Sequence, residues 1–403
     1  MAARLCHSKP GLCVEAEHGV GLMEMLVAIV ITLFMLGAAF TFFDSMESMT
    51  EEVSVMASVN EGLRGAADLI TKDIYTAGTS IPSGGISIPW DGVSANSLVK
   101  RPGSSGYFFP VNNGNLAVIT PGYQLSGQIG GTALYSDEVT LITVNENWVG
   151  SQPPPLQISS MTSAKSTGYT VNVTIPTPGC TTSATPPVFD CTLGANGYNL
   201  NPSGGDLLMF TTTGGAHVLG LTTSVDTTNN IIYFGADLLN LNQVCGSAAT
   251  CVGSIDSLSN NGSGTYTGTG GYPSGMTLTK IDMITYYVDT SDTNHPCVKL
   301  GTNPYQSCPL VRQLGASTPT EVAFGIDNLQ FTYDMTTGAS TNCTGGSTEP
   351  SSCASFQPNQ IGMVHLFISG ISQNVLRKSQ RYYANTFDTS VDVRNLEYVN
   401  QFP

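Results

Sequence analysis

The sequence predicts an α+β protein in which one long N-terminal helix is followed by a large, mostly antiparallel β head. Apolar residues run almost unbroken from Val20 to Phe43, and no proline occurs before Pro82 in the stretch that follows. Beyond Gly78 about 325 residues remain, enough for one large or two modest cores. Helical periodicity is nearly absent there, and short alternating runs bounded by turn residues replace it.

The apolar segment Val20–Phe43 is long enough to cross a membrane, because about 20 helical residues span the hydrocarbon core. A secretory signal peptide would have a shorter apolar region that ends at small residues, so the segment is not expected to be a signal peptide. A plain membrane anchor fits the length but leaves Glu24, the one charged residue of the segment, unexplained. A carboxylate within a spanning helix costs on the order of 3 kcal/mol, which favours a functional role.

The helix is predicted to continue beyond the membrane segment. An apolar seam with a period near 3.5 is interrupted by Asn60. Its members are Met46, Met49, Val53, Met56, Leu63, Ala67, Ile70 and Ile74. Gly78 followed by Pro82 predicts the end of the helix, and residues 20–76 would reach roughly 85 Å. A freestanding coiled coil is the alternative interpretation of the seam.

The head is predicted to be mostly β. The candidate strands are DEVTLITV, YTVNVTI, DLLMFTT, HVLGLTTSV, NIIYFG, KIDMITYYVD and MVHLFISGI. The richest turn and loop composition lies in 79–114, 152–166 and 260–274.

The cysteines of the head form four pairs of consecutive cysteines with short separations in the sequence, which favours local disulfides. The pairs are Cys180 and Cys191, Cys245 and Cys251, Cys297 and Cys308, and Cys343 and Cys353. Eight cysteines allow 105 pairings, so spacing alone does not fix the connectivity. A zinc site is disfavoured because no two cysteines are separated by only two to four residues, the spacing typical of zinc ligands. Disulfides predict an oxidising compartment for the head.

The charge balance argues against direct nucleic-acid binding. The formal net charge is −15 with only 14 basic residues, whereas phosphate binding depends on Lys and Arg. One basic cluster, Arg377, Lys378 and Arg381, is expected to be solvated or to bond to the helix and its neighbours.

No catalytic site is predicted, because none of the three head histidines lies in a nucleophile or metal motif. The protein is therefore expected not to be an enzyme and to need no cofactor. A weak calcium candidate is the loop that holds Asp289, Asp292 and Asn294, whose oxygens suit Ca²⁺. These residue types also favour turns for backbone reasons, so both interpretations stay open.

The residues around Glu24 resemble the processing site of type IV prepilins and pseudopilins. A cut between Gly19 and Val20 would make Glu24 the fifth residue of the product. The resemblance implies a cytoplasmic-side peptidase that cuts after the glycine and methylates the new terminal amine. It also implies that Glu24 pairs with the terminal ammonium of a neighbouring subunit.

Several later stretches resemble PilW-type minor pilins. The helix end EGLRGAADLITKDIYTAG is similar to the family's closing stretch, and KIDMITYYVD with LVRQLG resembles its paired strands. The remaining similar stretches are GGDLLMFTTTGGAHVLGLTT, EVAFGIDNLQFTYDM and FDTSVDVRNLEYV, the last containing Arg394 and Asn395. The type II secretion pseudopilin J shares several of these features.

The resemblance implies a type IV pilin-like organisation: a cleaved leader (1–19), an N-terminal helix (20–77) and a β head (78–403). Within the helix, 20–43 would contact membrane lipid and 44–77 would form an amphipathic stalk on the head. The expected partners are the prepilin peptidase, other minor and major pilins and the inner-membrane assembly platform.

The function implied is a minor pilin that helps to prime a type IV pilus and enters it near the tip. The protein would be a single-pass inner-membrane protein with a periplasmic head, and later part of the pilus at the cell surface. The alternatives are a type II secretion pseudopilin, a tip adhesin or ligand-binding minor pilin, and a plain anchored periplasmic protein.

Overall fold

The structure is a computed structural model. It describes residues 21–82, 84–90, 96–103, 107–110, 114–126, 128–129, 134–145, 156–164, 168–174, 193, 198–243, 253–260, 275–291, 297–299, 306–335, 340–341 and 360–393.

One long helix precedes an extensive β structure, as the sequence predicts. The helix α1 spans Leu22–Thr76. The strands are β1 Ile86–Ser87, β2 Asn96–Lys100, β3 Phe108–Pro110, β4 Asn115–Leu116, β5 Ile119–Gly122, β6 Gln128–Ile129, β7 Leu134–Tyr135, β8 Glu138–Val144, β9 Leu156–Ala164, β10 Gly168–Thr174, β11 Leu207–Thr211, β12 His217–Leu221, β13 Ser224–Asp226, β14 Ile231–Phe234, β15 Thr277–Val288, β16 Val298–Lys299, β17 Gln306–Leu314, β18 Thr320–Met335, β19 Ser340–Thr341, β20 Ile361–Val375 and β21 Tyr382–Asp392. A 3₁₀ helix spans Ile255–Asn260.

The helix ends where the sequence predicts. Gly78 has a φ of 81°, a left-handed conformation that glycine adopts without steric cost. Its amide donates to the carbonyl of Ile142 on β8, at 2.9 Å, and the Thr143 hydroxyl donates to the carbonyl of Thr76. The end of α1 is therefore fixed to β8 by one backbone and one side-chain hydrogen bond.

Strand β15 is the centre of the sheet. One of its edges pairs with β9 and then β8, and the other pairs with β11 and then β17. From β17 the sheet continues through β18 and β20 to β21. All the described pairings are antiparallel except that of β1 with β12. The described head is thus mostly antiparallel, in agreement with the predicted fold class.

The predicted strands are present, but two predicted loop regions are wrong in part, since 79–114 contains β1, β2 and β3. The segment 152–166 contains β9, which pairs with β10 over seven residues. Its side chains alternate, with Leu156 and Ile158 buried and Gln157 exposed. This two-residue period is typical of a half-buried strand, although serine and threonine obscure it in the composition.

The helix packs on the sheet with its second half. Leu63, Ala67, Ile70 and Ile74 are buried in one apolar cluster with residues of β18 and β20. Gly370 on β20 allows this approach, because an added Cβ would lie 3.0 Å from a methyl carbon of Leu63. Burial of a leucine or isoleucine side chain contributes about 1.5–3 kcal/mol. Two further apolar clusters fill the rest of the described head.

Candidate functional site

The first half of α1 is an apolar surface that the head does not cover. Every residue from Gly21 to Glu47 is exposed, and the segment contains an 18-residue window apolar enough to cross a membrane, with none of it buried. Soluble monomers rarely expose apolar patches of this size. The helix could therefore span a membrane, and its apolar surface needs a lipid or protein partner.

Glu24 forms a hydrogen bond at the start of this segment. The backbone amide of Gly21 donates to a carboxylate oxygen of Glu24 at 3.1 Å, so Glu24 occupies the third helical position and caps the first turn. A negative charge there also interacts favourably with the helix dipole. In this structure the Glu24 carboxylate therefore acts as an N-terminal cap of α1. Gly19 and Val20, the predicted cleavage residues, lie outside the described residues.

The exposed apolar surface continues beyond Phe43 as a narrow stripe. Met46, Met49 and Val53 belong to the predicted seam, but each remains at least half exposed, with exposures of 50%, 51% and 64%. The seam residues from Leu63 onward are buried. The seam is thus divided: its second part binds the chain's own head, and its first part is available to another molecule.

Asn60, where the apolar seam is interrupted, makes polar contacts with the head. Its side-chain oxygen accepts hydrogen bonds from the Tyr383 hydroxyl at 3.2 Å and from the Asn385 side chain at 2.6 Å, both on β21. An apolar residue at position 60 would leave these two donors without this acceptor. Asn60 therefore fixes the position of the helix relative to β21.

A second polar cluster joins the helix to the centre of the sheet. The Tyr286 hydroxyl on β15 and the Arg312 Nε on β17 both donate to one carboxylate oxygen of Asp73, at 2.6 Å and 2.8 Å. The two donors also lie 3.2 Å apart. The Asp73 side chain is 10% exposed and that of Arg312 is 25% exposed. We call Asp73, Tyr286 and Arg312 the junction cluster.

The electrostatics of the junction cluster favour a charged pair. Burial and the neighbouring Asp73 carboxylate raise the pKa of the Tyr286 hydroxyl, which therefore stays protonated and donates. Burial alone would lower the pKa of Arg312, but the hydrogen bond and charge of Asp73 outweigh it and raise this pKa. The three residues lie in separate stretches of the sequence, and no local pattern groups them.

A third polar group lies within the head. Arg101 is fully buried and donates to the Glu138 carboxylate and to the carbonyls of Thr120 and Pro121. Burial raises the pKa of Glu138 to about 7 despite the Arg101 charge. Burial also raises the pKa of Asp137 to about 6. Neither carboxylate was predicted from the sequence as a special group.

A cleft of about 1170 Å³ lies beside 280–283 of β15, between the part of this strand that pairs with β11 and the part that pairs with β17. Polar groups on its walls bind neighbouring residues: Lys280 pairs with Asp206 at 2.8 Å, and Asn145 donates to Asp282 at 3.0 Å. These groups therefore stabilise the walls of the cleft, and we assign the cleft no ligand.

The predicted disulfides and calcium loop are described only in part. Cys297 and Cys308 form a disulfide across 11 positions. The other six cysteines, Cys180, Cys191, Cys245, Cys251, Cys343 and Cys353, lie outside the described residues. Asp289 accepts hydrogen bonds from the amide and the hydroxyl of Ser291, as in an ordinary turn. Asp292 and Asn294 also lie outside the described residues, so calcium binding stays a prediction.

No protein-family model, no curated protein and no solved structure matches this chain. The resemblance to minor pilins rests on the residues quoted above and stays a prediction.

Proposed function

We propose that this chain is a minor pilin, a non-enzymatic structural subunit that is held in the inner membrane by its N-terminal helix and enters a type IV pilus near its tip. The observation that carries the proposal is the exposed apolar surface of Leu22–Phe43, with Glu24 at its start. The stripe of Met46, Met49 and Val53 extends this surface beyond a bilayer's thickness. Such an extension suits packing against neighbouring helices better than anchoring in lipid alone.

The proposed role of Glu24 follows from its position. Cleavage after Gly19 would place a terminal ammonium on Val20, one residue before the amide that Glu24 already binds. A carboxylate within a low-dielectric helix bundle is stabilised when a cation lies within hydrogen-bonding distance. In an assembling fibre the ammonium of a neighbouring subunit would serve as that cation, and Glu24 would select the register of the two helices.

The capping contact and the ion pair can be separated by substitution. Glu24→Gln keeps a side-chain oxygen that can accept from the Gly21 amide but removes the charge, whereas Glu24→Ala removes both. Glu47→Gln is a matched control, because Glu47 is exposed and lies beyond the apolar segment. All three proteins should be cleaved after Gly19, as measured by mass spectrometry of the mature N-terminus.

We expect both Glu24 variants to enter fibres poorly and the Glu47 variant to enter them normally. Loss of one partner of a buried ion pair costs about 3–5 kcal/mol, which corresponds to at least ~100-fold in incorporation. Quantitative immunoblotting of sheared fibres against cell membranes measures the ratio. If Glu24→Gln entered fibres normally and Glu24→Ala entered them poorly, Glu24 would act only as a helix cap and the proposed ion pair would be refuted. An uncut leader on chains within normal fibres would refute the pilin proposal itself.

A further inference from the structure

The turn between β20 and β21 lies against the helix at the end of the apolar segment. We call its residues, 376–381, the hairpin tip. The Arg377 guanidinium donates to the Asp44 carboxylate at 3.1 Å, and the amides of Lys378 and Ser379 donate to Glu52 at 2.8 Å and 3.3 Å. The hairpin tip therefore contacts the helix one residue after the apolar segment ends.

Burial on the helix supports this placement. Ser48 is buried, although every described residue before it on the helix is exposed. Leu376 of the hairpin tip is also buried, at 7% exposure, while Arg377, Lys378 and Arg381 are exposed. The hairpin tip thus covers one face of the helix and leaves the side chains of Lys378 and Arg381 exposed.

The helix fixes the depth of the hairpin tip if it spans a membrane, as the proposed function requires. Leu22–Phe43 is about 33 Å long at 1.5 Å per residue, which matches a hydrocarbon core of about 30 Å. Asp44 then lies at the boundary between hydrocarbon and headgroups, and Glu52 lies about 12 Å further out. The hairpin tip, bound to both, lies at the depth of the lipid phosphates.

Its charges suit that position. The acidic chain has 14 basic residues, and three of them fall within five positions of the hairpin tip. Arg377 pairs with Asp44, whereas the exposed side chains of Lys378 and Arg381 contact no carboxylate among the described residues.

The carboxylates of Glu47 and Glu51 on the nearby helix are also exposed, so with Asp44 and Glu52 the region has four acidic groups against three basic ones and a net charge of −1. Long-range attraction to an anionic surface is therefore not expected. A spanning helix would still hold the two cations among the phosphates at a high effective concentration.

We propose that the hairpin tip is a second membrane contact, in which Lys378 and Arg381 bind the phosphates of anionic phospholipids at the surface of the bilayer. The contact orients the head on the membrane before assembly. Each basic residue near an anionic surface raises the affinity for that surface about fivefold. Two such residues are therefore enough to orient a head that the helix already tethers to the membrane. An acidic helix segment of a second copy is the alternative occupant, and the depth of the hairpin tip favours lipid.

The test uses the native lysines of the full-length chain. Single chains are placed in phosphatidylglycerol nanodiscs or in uncharged maltoside micelles, and lysines are acetylated briefly and quantified by mass spectrometry. We expect Lys378 to react at least about fivefold more slowly in nanodiscs, because a neighbouring phosphate favours the unreactive ammonium. Lys100, exposed on β2 of the head, is the internal control and should react equally in both.

A pair of variants tests the cooperation of the two cations. Arg381→Gln should move the Lys378 rate in nanodiscs toward its micelle value. Arg64→Gln should leave it unchanged, because Arg64 is exposed on the helix far from the hairpin tip.

Equal rates of Lys378 in nanodiscs and micelles would overturn the proposal, as would slowing that requires two chains per disc. A lipophilic carbene reagent reports insertion of 22–43 separately. Insertion without protection of Lys378 overturns only this inference, whereas absence of insertion overturns the membrane role as well.

Discussion

The junction cluster should contribute a measurable share of the stability with which the head holds the helix. Asp73→Asn removes the charge that binds Tyr286 and Arg312 while keeping the size of the side chain. Hydrogen bonds to a charged group contribute about 1.5–3 kcal/mol each, and breaking a fully buried ion pair costs about 3–5 kcal/mol. The Arg312 side chain is 25% exposed and can be partly rehydrated. We therefore expect a loss of about 2–3 kcal/mol.

The assay is urea unfolding of the full-length chain in maltoside micelles, followed by near-UV circular dichroism. With a slope near 3 kcal/mol per M, the midpoint should fall by about 0.7–1 M. Asp68→Asn is the matched control, because Asp68 is exposed on the same helix, and should shift stability by at most about 0.5 kcal/mol.

A double-mutant cycle tests whether the cluster acts as a unit. Tyr286→Phe removes one donor and should cost about 1–1.5 kcal/mol. The double variant Asp73→Asn with Tyr286→Phe should be more stable than the sum of the single losses predicts, by about 1 kcal/mol, since the partners are in contact. Additive losses, or an Asp73→Asn variant as stable as Asp68→Asn, would refute the role of the cluster.

Three further predictions concern the head. Leu63→Ala should cost about 2–4 kcal/mol and Gly370→Ala about 1–3 kcal/mol in urea unfolding, and the double variant should lose less than the sum because the shortened side chain at position 63 leaves room for the new methyl group. Burial raises the pKa of Asp137 from 3.8 to about 6, so the folded protein retains an extra proton between these pH values. The free energy of unfolding should therefore fall as pH rises from about 4 to about 6. The difference in this free energy between the unmodified protein and Asp137→Asn should change by up to about 3 kcal/mol between pH 4 and 7. A difference that stays constant with pH would contradict this prediction. Replacing Cys297 and Cys308 by serine should cost about 3 kcal/mol for a loop of this length, measured as a shift in the urea midpoint that disappears when both proteins are reduced.

The sequence predicts those features of the fold that depend on local patterns. The 3.5-residue seam and the Gly78 stop predict one helix, and the described helix ends at Thr76. The alternating runs predict most strands, because a half-buried strand has a two-residue period. Strand β9 was missed because its serine and threonine residues suggest a loop by composition, although its apolar residues alternate.

The junction cluster could not be predicted, because it depends on the sheet register. Asp73 lies 213 positions from Tyr286 and 239 from Arg312, and only the pairing of β15 with β17 brings these two donors side by side. A charged residue at the buried face of an amphipathic helix was nevertheless a usable signal. Asp73 directly precedes a core isoleucine, and such a carboxylate needs a partner in the head.

The contacts of the helix imply a fixed relation between the head and the apolar segment. Asp73 binds the centre of the sheet, and Asp44 binds the hairpin tip about 44 Å away along the helix axis. Asn60 is held between them by β21. A helix attached at these three points cannot rotate about its axis without breaking all of them. The face that carries Met46, Met49 and Val53 therefore points in one fixed direction relative to the head. A neighbouring helix that packs on this stripe would also determine which surface of the head contacts the next subunit.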